Sequence, residues 1–129
     1  MMVERRKGAN EGMDNIETRN AKITDVTLSM ADHGCLTYGL TLEMCGCGCT
    51  YGGICIGKGY LGAKDFEGSA KGIEALMRIM DVVGVERWED LKGKYVRIVD
   101  PGLGGIVDRI GNIIKDKWFS QKEFFGANE

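Results

Sequence analysis

The chain has 129 residues, a formal net charge of −2, and contents of 43 % hydrophobic and 28 % charged residues. This length and composition are typical of one globular domain. The charge argues against a binder of duplex DNA or another nucleic acid polymer, because such proteins carry a basic surplus that displaces counterions. A small anionic ligand fits better, since it needs only two or three well-placed cations.

The N-terminal residues 1–20 mix charges, glycines and asparagines without periodicity, which predicts a disordered leader before a single domain at residues 21–129. No apolar run approaches the ~20 residues of a membrane span, so no membrane partner is expected. Four of the five cysteines crowd between Cys45 and Cys55. The odd total of five and the close spacing of these four favour free thiols in a reducing cytoplasm.

Alternating apolar residues predict three strands in the first half of the chain. Residues 26–30 and 36–44 alternate strictly, and the D-H-G turn at 32–34 joins them as a hairpin. Residues 51–56 predict a third strand, bulged at Gly52 and Gly53.

The second half predicts a helix, a hairpin and a short helix. Ser69 caps the main helix and Gly84 ends it. Its predicted apolar face consists of Ile73, Leu76, Met77, Met80 and Val83, with Lys71, Glu74, Arg78 and Asp81 largely opposite. Residues 95–99 and 106–114 predict a hairpin, and the capping box at 120–123 a short helix. The order βββαββα predicts an α+β fold, an antiparallel sheet built from hairpins and flanked by two helices.

No self-contained catalytic centre is evident from the residue pattern. In a strand, Cys45, Cys47 and Cys49 would point to one face, which is poor tetrahedral geometry, so small apolar residues in a glycine-rich strand are favoured over a metal or redox site. The single histidine, His33, lies in a turn. We therefore predict a binding protein with no catalytic residues, no metal and no cofactor.

The segment at residues 109–119 carries the side chains best suited to a nucleotide. The cations that could bind phosphate are Arg109, Lys115 and Lys117. The groups that could hydrogen-bond ribose or base are Asn112 and Asp116. The aromatic rings that could stack on a base are Trp118 and Phe119. Gly104 and Gly105 lie in a predicted hairpin turn, where glycines also permit close approach of a ligand. A solvated strand edge followed by two core aromatics is the competing interpretation.

Several segments of the sequence resemble segments of the phage-encoded Thoeris anti-defence proteins of the first described type. These are W-E-D-L-K-G-K-Y-V-R at 88–97, G-G at 104–105 and R-I-G-N-I-I-K-D-K-W-F at 109–119, with D-H-G-x-L-T at 32–37 and G-G at 52–53. The resemblance implies a non-catalytic sponge in the host cell cytoplasm. Such a sponge sequesters a cyclic ADP-ribose isomer, and in some members a cyclic oligonucleotide, as a homodimer or an assembly of dimers.

The same resemblance implies roles for particular residues. Arg109 would hold phosphate, Asn112 and Asp116 would hold ribose or base, and Arg97 and Arg78 are weaker phosphate candidates. Asn112 stands where the family pattern has histidine, and Leu103 where it has tryptophan. Two alternatives stay open: a phosphodiesterase-like or glycohydrolase-like enzyme that degrades the same signal, and a cysteine-rich metal or redox module.

Overall fold

A computed structural model describes residues 18–44, 46–101 and 106–126, and over these residues the protein is a seven-stranded antiparallel sheet with two α-helices. The strands are β1 (Thr18–Asp32), β2 (Cys35–Met44), β3 (Cys47–Lys58), β4 (Glu67–Gly68), β5 (Tyr95–Val99), β6 (Arg109–Gly111) and β7 (Trp118–Ser120). The helices are α1 (Ala70–Val83), a 3-10 turn (Trp88–Leu91) and α2 (Gln121–Gly126). The predicted α+β class is confirmed.

The strand order is β4-β3-β2-β1-β5-β6-β7, and each neighbouring pair is antiparallel. The long strand β1 pairs with β5 along its first residues and with β2 beyond them. His33 and Gly34 both adopt positive φ (54° and 78°), which closes the predicted β1–β2 turn. His33 is solvent-exposed, as a turn position suggests.

The third strand is longer than predicted, because it begins at Cys47 and not at residue 51. Its register against β2 shifts near the two consecutive glycines, which have φ of 118° and 84°. A Cβ atom at Gly52 would lie 2.4 Å from the carbonyl oxygen of Tyr38, so this position requires glycine. The predicted bulge is confirmed.

Both predicted ends of α1 are confirmed. The Ser69 hydroxyl accepts a hydrogen bond from the Gly72 amide at 2.9 Å. Gly84 has φ of 96°, and its amide donates to the Met80 carbonyl at 2.7 Å. A capping hydroxyl and a left-handed glycine therefore satisfy backbone groups that the helix itself leaves unpaired.

The buried face of α1 differs from the prediction. The residues that it buries are Gly72, Ala75, Ile79 and Val82. Of the predicted face, Ile73 and Met77 are 50 % and 60 % exposed. A Cβ at Gly72 would lie 2.4 Å from Cβ of Ile56 in β3, so the helix approaches the sheet through its smallest residues. This close approach turns Ile73 and Met77 outward.

The sheet curls around its core, which brings β3 across from β7. The buried side chains come from every strand except β4 and include Ile23, Leu40, Tyr51, Ile98 and Ile110. The Tyr51 hydroxyl donates to main-chain carbonyls near β7, and the Tyr38 hydroxyl donates to the Gln121 side chain at the start of α2. The core is therefore closed by hydrogen bonds from β2 and β3 to segments that are not their neighbours in the sheet.

The predicted strand at 106–114 is wrong in extent, since β6 spans only Arg109–Gly111 and pairs with β5 through Ile110 and Gly111. The chain then turns through residues 112–117 and returns as β7, a strand that was not predicted. The predicted capping residue Ser120 is confirmed, because its hydroxyl accepts from the Glu123 amide at 3.1 Å. The Glu123 carboxylate does not reach back to complete the box but pairs with Arg109.

The predicted disordered leader, residues 1–20, extends too far along the chain, since residues 18–20 belong to β1. Residues 1–17 lie outside the described residues, as do Cys45, Gly104 and Gly105 with their predicted turn. Among the described residues, neither helix has the length and apolar character needed to cross a membrane.

Candidate ligand-binding cleft

A cleft of about 620 Å³ lies between α1, β7 and α2. Its walls are formed by Ala70, Lys71, Glu74 and Arg78 of α1, Trp118, Phe119 and Ser120 of β7, and Glu123 and Phe124 of α2. The volume falls within the roughly 300–1,000 Å³ usual for small-molecule sites. The cleft is lined by both charged and aromatic side chains, a composition suited to a ligand with ionic and planar parts.

Two cations of α1 lie over one aromatic ring of α2. The Lys71 ammonium is 5.1 Å and the Arg78 guanidinium 5.5 Å from the centre of the Phe124 ring. Arg78 also pairs with Glu74, one helical turn earlier, at 2.6 Å. Cation–π contacts hold both charges at the cleft wall, where they remain partly hydrated and able to exchange partners.

Phe119 forms part of the cleft wall but belongs mainly to the core. It is 5 % exposed, and its ring centre lies 5.4 Å from that of Phe124. A ring this buried offers little open face to a nucleotide base. The competing interpretation of a core aromatic therefore describes Phe119 better than the predicted stacking role.

Arg109 reaches the cleft through Glu123. Its guanidinium pairs with the Glu123 carboxylate, and the two side chains are 39 % and 66 % exposed. Exposed ion pairs of this kind contribute at most about 1 kcal/mol to stability. An anion of higher charge could therefore take the place of the carboxylate beside Arg109 at small cost.

Arg97 holds the turn at residues 112–117, which we call the 112–117 loop. Its side chain donates to the carbonyl oxygens of Asn112 at 2.6 Å and Lys115 at 2.8 Å. The guanidinium also lies 4.8 Å from the ring centre of Trp118. These contacts give Arg97 a structural role in shaping the loop, and they occupy donors that a phosphate would need.

Asn112 is likewise engaged within the 112–117 loop. Its side-chain oxygen accepts from the amides of Ile114 and Lys115, at 2.9 and 2.8 Å. Its side-chain nitrogen donates to the Val82 carbonyl at the end of α1, at 2.8 Å. The amide side chain thus ends β6 and ties the loop to the helix, which explains why the strand stops at Gly111.

Three further predicted residues line or fasten the same loop. Lys117 pairs with Asp81 of α1 at 3.0 Å, and the Asp116 carboxylate accepts from the Trp118 indole nitrogen at 3.1 Å. Trp118 lies over Gly111, where a Cβ atom would be 2.6 Å from the ring. The indole is therefore fixed by its neighbours on β6 and in the loop while one part of it lines the cleft.

The predicted site residues divide into two groups. Arg78, Trp118 and Phe119 line the cleft and Arg109 adjoins it, whereas Arg97, Asn112 and Lys115 form the structure of the 112–117 loop. The sequence reasoning missed Lys71, Glu74, Glu123 and Phe124 as site residues. Helical spacing places 71, 74 and 78 on one side of α1, and this was the available signal.

The cysteines do not assemble a metal site within the described part of the chain, where no cluster of three metal-ligating side chains is found. Cys35, Cys47, Cys49 and Cys55 are free thiols. Cys49 is half-buried and packs against the core, and burial raises its pKa. For Cys49 the reading as a small apolar residue therefore holds.

Comparison of the chain with protein-family models, with curated proteins and with solved structures finds no match.

Proposed function

We propose that the protein is a non-catalytic sponge that binds a small cyclic nucleotide signal in the cleft between α1, β7 and α2. The ligand would be a cyclic ADP-ribose isomer made by bacterial anti-phage defence, and the sponge would keep it from activating the effector in the host cell cytoplasm. The observation that carries the proposal is the convergence of Lys71 and Arg78 on an aromatic wall formed by Trp118 and Phe124.

The chemistry of this wall matches the parts of a nucleotide. Phosphate oxygens would replace Glu74 as the partner of Arg78, because a guanidinium binds two oxygens of either group in the same planar geometry. A base would stack on the accessible part of Trp118, since base–aromatic stacking contributes roughly 1–3 kcal/mol per base. Arg109 would approach the same phosphates from the side of Glu123.

A binding role is favoured over a degrading enzyme by the composition of the cleft walls. Their titratable groups are Lys71, Glu74, Arg78 and Glu123, and two of these already form an ion pair with each other. Hydrolysis of a phosphodiester or glycosidic bond needs a positioned acid and base, or a metal set. A sponge needs only complementarity, which these walls provide.

The test is a capture-and-release assay. The purified protein is mixed with a cyclic ADP-ribose isomer, free ligand is removed by filtration, and the retained protein is heated and its released nucleotide chromatographed. Recovery of intact nucleotide supports the sponge. Recovery of altered nucleotide would replace it with the enzyme, and no depletion of ligand from solution would remove the proposal.

The matched variants are Arg78→Ala and Arg87→Ala. Arg78 lines the cleft, whereas Arg87 pairs with Glu89 and Asp90 beside the 3-10 turn, away from the cleft walls. We expect Arg78→Ala to lower retention at least about tenfold, the effect of losing roughly 1.4 kcal/mol. Arg87→Ala should retain the ligand normally. Size-exclusion chromatography with and without ligand tests the further proposal that the sponge is a homodimer or an assembly of dimers.

A further inference from the structure

Two cysteines, Cys35 and Cys55, lie on neighbouring strands near the end of the β2–β3 ladder. Thr37 of β2 pairs with Cys55 of β3, and Cys35 is two residues before Thr37. Side chains two residues apart in a strand point to the same face, so the two thiols are diagonal neighbours on one face of the sheet. The Cys55 thiol donates to the Gly57 carbonyl at 3.1 Å.

The backbone at this point is locally irregular. The β2–β3 register shifts between Leu36 and Thr37, which leaves Ile56 as an extra residue of β3. A bulge lets a strand change its local twist more readily than a regular ladder does. This freedom matters because diagonal neighbours in a regular ladder lie roughly 7–8 Å apart, slightly beyond the separation of about 7 Å that a disulfide bridges without backbone movement.

The two thiols are accessible to solvent, and their pKa values are shifted in opposite directions. Cys55 is exposed and Cys35 is half-buried. The interaction between the two thiols lowers the pKa of Cys55 and raises that of Cys35, and the nearby Lys58 ammonium lowers the pKa of both. The thiolate, which is the reactive form, is therefore favoured at Cys55, the thiol that solvent reaches first.

We propose that Cys35 and Cys55 form a dithiol site that exchanges with small-molecule disulfides and closes to an intramolecular disulfide between β2 and β3. The oxidant is a low-molecular-weight disulfide such as oxidised glutathione. This proposal is independent of the cleft, because neither cysteine lines it.

The reaction proceeds in two exchanges. The Cys55 thiolate attacks one sulfur of oxidised glutathione, an S–S bond breaks, and one glutathione leaves as its thiolate. The Cys35 thiolate then attacks the Cys55 sulfur of the mixed disulfide, and the second glutathione leaves. The protein loses two thiol protons and two electrons, and one glutathione disulfide becomes two reduced glutathiones.

The sequence permits a direct test on the full chain. Cleavage after Lys22, Glu43 and Lys58 yields a peptide 23–43 with Cys35 as its single cysteine, and a peptide 44–58 that contains Cys55. The protein is treated with oxidised glutathione, remaining thiols are alkylated, and the peptides are analysed by mass spectrometry. We expect the two peptides to be joined, with no glutathione retained on Cys35 or Cys55.

Three serine variants test whether Cys35 and Cys55 are the reacting pair. Cys55→Ser should lower the yield of the joined peptides at least about tenfold, whereas Cys47→Ser, at another exposed position of β3, should leave it unchanged. Cys35→Ser should instead accumulate glutathione on Cys55. Circular dichroism checks that each variant is folded. Glutathione that stays on Cys35 or Cys55 of the unsubstituted protein, absence of any reaction, or joined peptides that persist in Cys55→Ser would each overturn the proposal.

Discussion

The hydroxyl of Tyr51 in β3 lies 3.0 Å from the carbonyl oxygen of Asp108, just before β6, and donates a hydrogen bond to it. The same hydroxyl is 3.4 Å from the carbonyl oxygen of Phe119 in β7. Three strands, β2, β1 and β5, lie between β3 and β6 in the sheet, so this contact closes the curled sheet across its core. The carboxylate of Asp108 meanwhile accepts from the Ser120 hydroxyl and the Lys122 amide, at 2.5 and 2.7 Å. One tyrosine therefore helps to fix the segment that presents β7 and α2 to the cleft.

Replacing Tyr51 by phenylalanine should destabilise the protein by about 0.5–1.5 kcal/mol, since it removes the hydroxyl hydrogen bond while keeping the ring. Equilibrium urea unfolding measures the change. Tyr95→Phe is the matched control, because Tyr95 is 56 % exposed and its substitution should cost less than about 0.5 kcal/mol. Equal effects of the two substitutions would show that the Tyr51 hydroxyl does not stabilise the core.

Alkaline pH should remove part of this stability. Burial raises the pKa of Tyr51, with a further contribution from Tyr38, above the ordinary tyrosine value of about 10. A raised folded-state pKa stabilises the folded protein below the unfolded-state value, and this contribution is lost as the pH rises beyond about 10, where the unfolded chain ionises first. The stability difference between the unsubstituted protein and Tyr51→Phe should therefore shrink between about pH 9 and about pH 11. A difference that stays constant over this range would contradict the expectation.

The elements that could be predicted from the sequence were those with strong local signals. The turn at His33, the bulge glycines, Ser69 and Gly84 each act through the backbone of their own neighbourhood. The buried face of α1 was mispredicted because it depends on tertiary contact: Gly72 has no apolar side chain, yet its lack of a Cβ lets the helix pack against Ile56. Periodicity of apolar residues does not reveal such a contact.

The candidate site likewise depends on tertiary contacts that the sequence pattern does not reveal. The segment 109–119 could be singled out by its cations and aromatics, and the structure places Trp118 and Phe119 at a cleft. It could not be predicted that the Asn112 side-chain amide would hydrogen-bond to Val82 and to its own loop. The facing wall, from Lys71 to Arg78, lies about forty residues earlier in the chain and meets β7 only after folding.

Alanine at Gly111 should destabilise the protein by about 1–3 kcal/mol, because the added methyl group would lie 2.6 Å from the Trp118 ring and force it to move. The displaced indole would also leave its contact with Arg97, which holds the 112–117 loop. Gly68→Ala is the control, since no atom lies within 4 Å of a Cβ built there. Urea unfolding of the two variants makes the comparison, and a cost at Gly111 no larger than at Gly68 would show that the ring tolerates the methyl group.

Arg109→Ala and Glu123→Gln should change ligand retention in opposite directions. The first removes the cation beside the cleft, so the retained cyclic nucleotide should fall at least about tenfold. The second releases the Arg109 guanidinium from its carboxylate partner and removes a negative charge from the cleft wall, so retention should rise. The Arg109 side chain is partly and the Glu123 side chain largely exposed, so either substitution should cost at most about 1 kcal/mol of stability. Isothermal titration of the cyclic nucleotide into each folded variant measures the two shifts. A loss of affinity in both variants would mean that the ion pair itself shapes the site, and unchanged affinity in both would place the phosphates away from Arg109.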